Sequence, residues 1–209
     1  VNVSRELVKQ DIATLMFDFF GHGSSSGKFE ELTPQIALQN LKDVFEFVTK
    51  DRMFHFVDKK RIAVYGSSFG GMIALLFGSQ CHYLRMILLK APVSDFKQFW
   101  SETPFFRDWK TTNRIIDSEG NAVHLNYNFY EQGQMYDIYE LAEQITCPVY
   151  IVHGDADETV PLQQSQKLMM HLKVDKRLKV ITGGDHRFTD PECNKEFVEW
   201  VVDALKRNV

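Results

Sequence analysis

The pattern with the clearest chemical meaning is Gly66-Ser67-Ser68-Phe69-Gly70. It follows the short apolar run Arg61–Tyr65 and precedes the helical run Met72–Phe77. A serine on a sharp strand-to-helix turn projects its hydroxyl from the end of a sheet. Glycines on both sides remove Cβ atoms that would clash in so tight a turn. The helix beneath offers unpaired N–H groups and the positive end of its dipole. Ser68 is therefore the candidate nucleophile, and the backbone N–H of Phe69 the candidate oxyanion donor. Ser67 is the competing hydroxyl but lacks the central position. The bland alternative is a glycine-rich turn with an idle serine.

A serine hydroxyl is a weak nucleophile and needs a base from another loop at the same sheet edge. Of seven histidines, His186 stands out in Gly183-Gly184-Asp185-His186, directly after the apolar run Leu178–Ile181. Its glycines suit a loop that brings an imidazole close to another residue. The third member should be a carboxylate lying between serine and histidine in the chain. The segment His153-Gly154-Asp155-Ala156-Asp157-Glu158-Thr159-Val160-Pro161 supplies three acids after the run Val149–Val152. Asp157 lies deeper in that loop, where it can reach His186, fix its tautomer and stabilise the imidazolium. Asp155 is the runner-up and reads better as a turn-fixing residue. Glu158 reads as solvated and His153 as a packed structural histidine.

These residues need a sheet to hold them at one edge. The runs Ile12–Phe17, Arg61–Tyr65, Met86–Leu89, Val149–Val152 and Leu178–Ile181 are short and apolar, as buried parallel strands should be. Helical patterns alternate with them, which predicts a parallel α/β sheet. Thr33-Pro34 reads as an N-cap with proline in the first turn, followed by Ala37, Leu41, Val44, Phe45 and Val48 at helical spacing. Pro161 opens another helix, with Leu168, Met169 and Leu172 inward. The last helix carries Phe197, Trp200, Val201, Ala204 and Leu205 as one stripe. From about Phe96 to Gln144 no clear strand is visible and aromatic residues abound. A connection this long is usually a lid or binding insertion; equally, its aromatics can simply be the core of a small helical subdomain.

The chain of 209 residues is long enough for one domain with a sizeable core, and its 44% apolar content is that of a globular protein. Net charge is −4 and no Lys/Arg cluster stands out, so nucleic acid is not an expected partner. No apolar run approaches the roughly 20 residues that a membrane helix needs. Cys81, Cys147 and Cys193 are odd in number and widely spaced, which argues against a disulfide framework and a zinc site. A reducing, cytoplasmic setting is the expectation.

The five-residue turn, the His-Gly-x-x-Asp-x-x-Val-Pro segment and the Gly-x-Asp-His turn together resemble the α/β-hydrolase superfamily. The motif Asp18-Phe19-Phe20-Gly21-His22-Gly23-Ser24-Ser25 resembles the turn after that family's fourth strand. Within the superfamily, Phe17–Glu31 is similar to bacterial cinnamoyl and feruloyl esterases, as are Phe129-Tyr130 and the run Tyr136–Glu140. Members of that subgroup more often carry Gly-His-Ser-x-Gly-Gly, where this chain has Ser67 in place of the histidine. The resemblance implies an α/β-hydrolase fold over 1–209, mostly parallel, flanked by helices, with a helical lid insertion at about 96–144. It implies that Tyr130 contacts an aromatic acyl group and that the turn carrying His22 is mainly architectural, with His22 able to line the active-site mouth.

The resemblance also implies two or three strands before the first residues here, the third ending in a His-Gly loop that supplies a second oxyanion donor. The chain then starts in the helix after that loop, at about Val1–Val8, and about 30–50 residues lie upstream. Without that third strand, two strands would stand about 10 Å apart with unpaired facing edges. The expected activity is hydrolysis of small carboxylic esters by Ser68, His186 and Asp157 through an acyl-enzyme, without metal or organic cofactor. The expected partners are a small-molecule ester and, as a homodimer, a second copy of the chain. Acyl-thioesterase, serine peptidase and a non-catalytic or incomplete hydrolase-like binding protein are the alternatives.

Overall fold

The computed structural model describes residues 2–117 and 120–209; Val1 of the expected first helix and Ser118–Glu119 of the expected insertion lie outside the described residues. In chain order the first half forms α1 (Asn2–Val8), α2 (Pro34–Lys50), β1 (Ala63–Ser67), α3 (Phe69–Gly78) and β2 (Met86–Lys90). The insertion follows as α4 (Phe96–Ser101), α5 (Phe106–Thr112), β3 (Arg114–Ile116), β4 (Ala122–His124), α6 (Asn128–Gly133) and α7 (Ile138–Ala142). The chain then returns as β5 (Val149–Gly154), α8 (Leu162–His171), β6 (Lys176–Ile181) and α9 (Pro191–Asn208).

Local chemistry accounts for where the long helices begin. Thr33 Oγ1 accepts the Ile36 N–H at 3.2 Å, and Pro34 fills the first turn, where no N–H is needed. Asp190 and Pro191 repeat the device for α9, with the carboxylate accepting from Glu192 and Cys193. Asp95 and Asp137 cap α4 and α7 in the same way.

The main sheet is wholly parallel in the order β1-β2-β5-β6. Successive residues of a strand face opposite sides, so β2 feeds two cores. Ile87 and Leu89 pack with α2, α3, α8 and the insertion, whereas Met86 and Leu88 pack with α1 and α9. Burial on both faces explains why β5 reads as a continuous apolar run with every residue buried.

Two expectations need correction. Ile12–Phe17 is not a strand. The N–H groups of Ala13–Phe17 find no hydrogen-bond acceptor among the described residues, and β1 is paired only on its β2 side. Strand character requires a ladder partner as well as apolar residues, and among the described residues this run has none. Leu15, Met16 and Tyr65 are correspondingly exposed. The insertion is also not purely helical, because β3 and β4 form a short antiparallel hairpin in its middle.

The aromatics of the insertion pack against one another and extend the core on that face of the sheet. Trp109 is fully enclosed, and its indole N–H donates to Leu125 O at 2.7 Å. The insertion is tied down at its start and again in its interior. Gln164 of α8 accepts the N–H groups of Ser94 and Asp95 at 2.9 and 3.0 Å, and Asn126 N–H donates to Glu30 O at 2.9 Å.

Candidate active site

Ser68 sits where β1 turns into α3, with φ +54° and ψ −121°, a conformation that costs a non-glycine residue on the order of 1–3 kcal/mol. The surrounding structure holds it there. Its N–H donates to Lys90 O at 2.9 Å, and its carbonyl accepts from Gly71 and Val93 at 2.9 and 3.1 Å. Gly66 is required because a Cβ there would meet Gly70 O at 2.4 Å, and Gly71 because one would meet Pro92 at 2.7 Å. Gly70 has no such constraint; a Cβ there would make only an ordinary contact with Phe19 at 4.0 Å. The clash relief expected of the second glycine therefore belongs to Gly71. The Phe69 N–H, at the first position of α3, has no partner among the described residues and is free to donate to an anion.

Asp157 and His186 come together from the ends of β5 and β6. His186 Nδ1 lies 2.7 Å from Asp157 Oδ2, with the carboxylate fully buried and the imidazole 16% exposed. The other oxygen, Oδ1, accepts the N–H groups of Thr159 and Val160, both at 2.8 Å. Burial by itself would push the Asp157 carboxyl up. Hydrogen bonds from His153, His186 and the Val160 N–H, together with the charge of His186, outweigh it and hold the group well below the usual carboxylate range. Asp157 is thus an anion whose two oxygens are both fixed, and the Nδ1 it faces must carry the proton. Among the described residues no hydrogen bond joins Ser68 Oγ to His186 Nε2, so the acid and the base are assembled and the link to the nucleophile is not.

The two loops interlock through their backbones. Asp155 Oδ1 accepts the Gly183 N–H at 2.6 Å, and Ala156 N–H donates to Gly184 O at 3.0 Å. Asp155 is therefore a turn-fixing residue, and Glu158 is exposed. Asp185 locks its own turn by accepting from the Thr189 hydroxyl and from the Arg187 and Thr189 N–H groups.

The structure places the remaining sequence candidates less centrally. Tyr130 is 5% exposed, stacked 6.2 Å from Phe96 and edge-on to Phe106 at 4.8 Å. A ring so enclosed reaches an acyl group only if the insertion rearranges. His22 lies half-buried in its turn, Nδ1 3.2 Å from Phe20 O and its ring 5.1 Å from that of Phe29.

Three further residues lie near the site, and of these Lys90 has no role assigned from the sequence. Phe129 lies against Phe69, with ring centroids 5.1 Å apart, and joins the aromatic core to the elbow. Lys90 runs under the site with its ammonium 5.7 and 5.9 Å from the rings of Phe188 and Phe197. Burial lowers its pKa, against the charges of Asp157 and Asp185. His153 is fully buried and touches Asp157.

Comparison with known proteins agrees with this architecture. The chain is 26% identical to the esterase Est1E from Butyrivibrio proteoclasticus, solved with ferulic acid bound. That match has a TM-score of 0.81 and covers 99% of this chain and 79% of Est1E. The monoacylglycerol lipase of Paleococcus ferrophilus, 19% identical with a TM-score of 0.77 over 99% of this chain and 88% of that one, shares the fold. Among curated sequences it is 25% identical to the uncharacterized protein YfhR of Escherichia coli O157:H7 over 206 residues, 95% of this chain. It spans 63% of YfhR's length. Bovine dipeptidyl peptidase 4 is 26% identical over 205 residues, 95% of this chain and 25% of that protein. No helix among the described residues is long and apolar enough to cross a membrane. The sequence profile of the prolyl oligopeptidase family matches residues 3–208, and with a parallel sheet flanked by helices beneath that match, the chain belongs to this family of α/β hydrolases.

Proposed function

We propose that this chain is a serine hydrolase that cleaves small carboxylic esters through an acyl-enzyme. The observation that carries the reading is the 2.7 Å Asp157–His186 pair at the same sheet edge as a strained Ser68 with an unpartnered Phe69 N–H beside it. With ester bound, Ser68 Oγ attacks the carbonyl carbon and His186 Nε2 takes the hydroxyl proton. The Ser68–His186 hydrogen bond forms in that complex, since such bonds are often long or absent without substrate. Asp157 holds Nδ1–H and stabilises the imidazolium. The Phe69 N–H receives the tetrahedral oxyanion. Collapse expels the alkoxide with the proton from His186, and water, activated by the same imidazole, releases the acid.

The contact of Phe129 with Phe69 supports an apolar or aromatic acyl group, as does the likeness to Est1E with its bound ferulic acid. The second oxyanion donor is assigned to a strand-and-loop segment that pairs with the open edge of β1. The unpartnered N–H groups of Ala13–Phe17 support that assignment. A serine peptidase is the second reading, favoured by the family match and the likeness to dipeptidyl peptidase 4. Hydrolysis of matched acetyl and cinnamoyl esters, thioesters and aminoacyl anilides separates the readings. The esterase reading expects esters to be cleaved fastest, with cinnamoyl favoured, and all turnover to vanish in Ser68→Ala. Preferential cleavage of anilides overturns it.

A further inference from the structure

His153 lies at the end of β5 with no exposed side-chain surface, four residues before Asp157. Its Nε2 is 2.9 Å from Val160 O and 3.2 Å from Asp157 Oδ2, and its Nδ1 is 2.7 Å from Ser165 Oγ. A carbonyl and a carboxylate can only accept, so Nε2 must carry a proton. The Ser165 hydroxyl can donate, which leaves Nδ1 as a lone pair and the buried ring neutral, the cheaper state away from water. We propose that His153 is a positioning residue for catalysis: a second imidazole that donates to the same carboxylate oxygen of the acid as the base does. Asp157 Oδ2 then receives Nε2–H of His153 and Nδ1–H of His186, while Oδ1 receives the two loop N–H groups. The carboxylate cannot rotate without breaking at least two of these, so it presents one lone pair to His186 in one direction. Ser165, at the start of α8, keeps the donor on the correct nitrogen. This inference rests on Ser68, His186 and Asp157 being the catalytic set.

The test compares wild type with His153→Phe, which keeps a ring but removes the donor, and with His153→Gln, whose amide N–H restores it. The readouts are the rate constant for labelling by a fluorophosphonate probe and the downfield proton resonance of the His186–Asp157 bond. The tautomer of His153 is read by 1H–15N correlation in wild type. The expected result is an Nε2–H tautomer, labelling slowed about 10- to 100-fold in His153→Phe with a displaced downfield resonance, and labelling near wild type in His153→Gln. A loss of this size follows from a hydrogen bond to a charged group. Wild-type labelling and an unmoved resonance in folded His153→Phe overturn the positioning role alone. Equal losses in both variants reduce His153 to packing and also overturn it. If His153→Phe does not fold, the tautomer and His153→Gln decide: Nδ1–H on His153, or a slow His153→Gln, rejects the proposal. Failure of wild type itself to label removes the catalytic reading, and this role with it.

Discussion

Replacing Gly154 by alanine should disable the site from outside it. Gly154 ends β5, and a Cβ there would lie 1.9 Å from Gly184 O and 2.4 Å from Gly184 C, both backbone atoms of the loop that carries His186. Side-chain carbons essentially never approach closer than 3.0 Å, so that carbonyl must withdraw by at least about 1.1 Å. The Ala156 N–H to Gly184 O bond at 3.0 Å is lost with it. Carried two residues on, the same displacement stretches the 2.7 Å His186–Asp157 bond to about 3.8 Å, beyond hydrogen-bond range. Overpacking of this kind costs about 1–3 kcal/mol, or a melting point lower by about 2–12 °C in a chain of this size. A misplacement near 1 Å can cost about 10²-fold in rate. Gly183→Ala is the control. Nothing lies within 4 Å of its Cβ position, so it bears only the backbone cost of φ +74°, about 1–2 kcal/mol, and should label nearly as wild type. The assay is thermal unfolding alongside the fluorophosphonate labelling rate. A Gly154→Ala protein that melts and labels as wild type refutes the claim that the two loops are held by backbone contact.

Asp157→Asn keeps one carbonyl oxygen for the loop N–H groups but turns an NH2 toward His153 and His186, so turnover should fall on the order of 10⁴-fold; a loss under tenfold contradicts the assignment. Because Asp157 is held below the usual carboxylate range in the folded chain, it contributes stability in full above about pH 4, and this is lost as pH falls further. Urea midpoints measured from pH 7 to pH 3 should therefore fall more steeply in wild type than in Asp157→Asn, and parallel curves would argue against the ion. Trp109→Ala should cost about 3–5 kcal/mol, and Trp109→Phe about 1–3 kcal/mol for the buried Leu125 carbonyl left without its donor, both read by thermal unfolding. Phe129→Ala should cut the preference for cinnamoyl over acetyl esters about tenfold, while a preference unchanged in the variant places the acyl group elsewhere.

The positions of Ser68, Asp157 and His186 could be read from the chain because each follows an apolar run, and strands ending at one sheet edge bring such loops together. Asp155 and Asp157 could be told apart by depth in the loop, and the structure puts the first on Gly183 and the second on His186. Ile12–Phe17 misled because apolar character reports burial propensity, whereas a strand is defined by its neighbour. The β3–β4 hairpin was hidden because three residues per strand are too few to show a period of two. The resemblance offered Tyr130 as an acyl contact but not as an enclosed ring, since neighbouring aromatic residues on a short helix give no sign of which one faces the core. The contact of His153 with Asp157 was invisible because a four-residue separation across a loop says nothing of where a ring points.

Whether Ser68 is an activated nucleophile is decided by fluorophosphonate labelling of wild type, Ser68→Ala and His186→Ala with mass-spectrometric location of the adduct. One adduct is expected on Ser68 in wild type, none in Ser68→Ala and strongly slowed labelling in His186→Ala. Absence of labelling in folded wild type, or an adduct on Ser67 that survives Ser68→Ala, would contradict it.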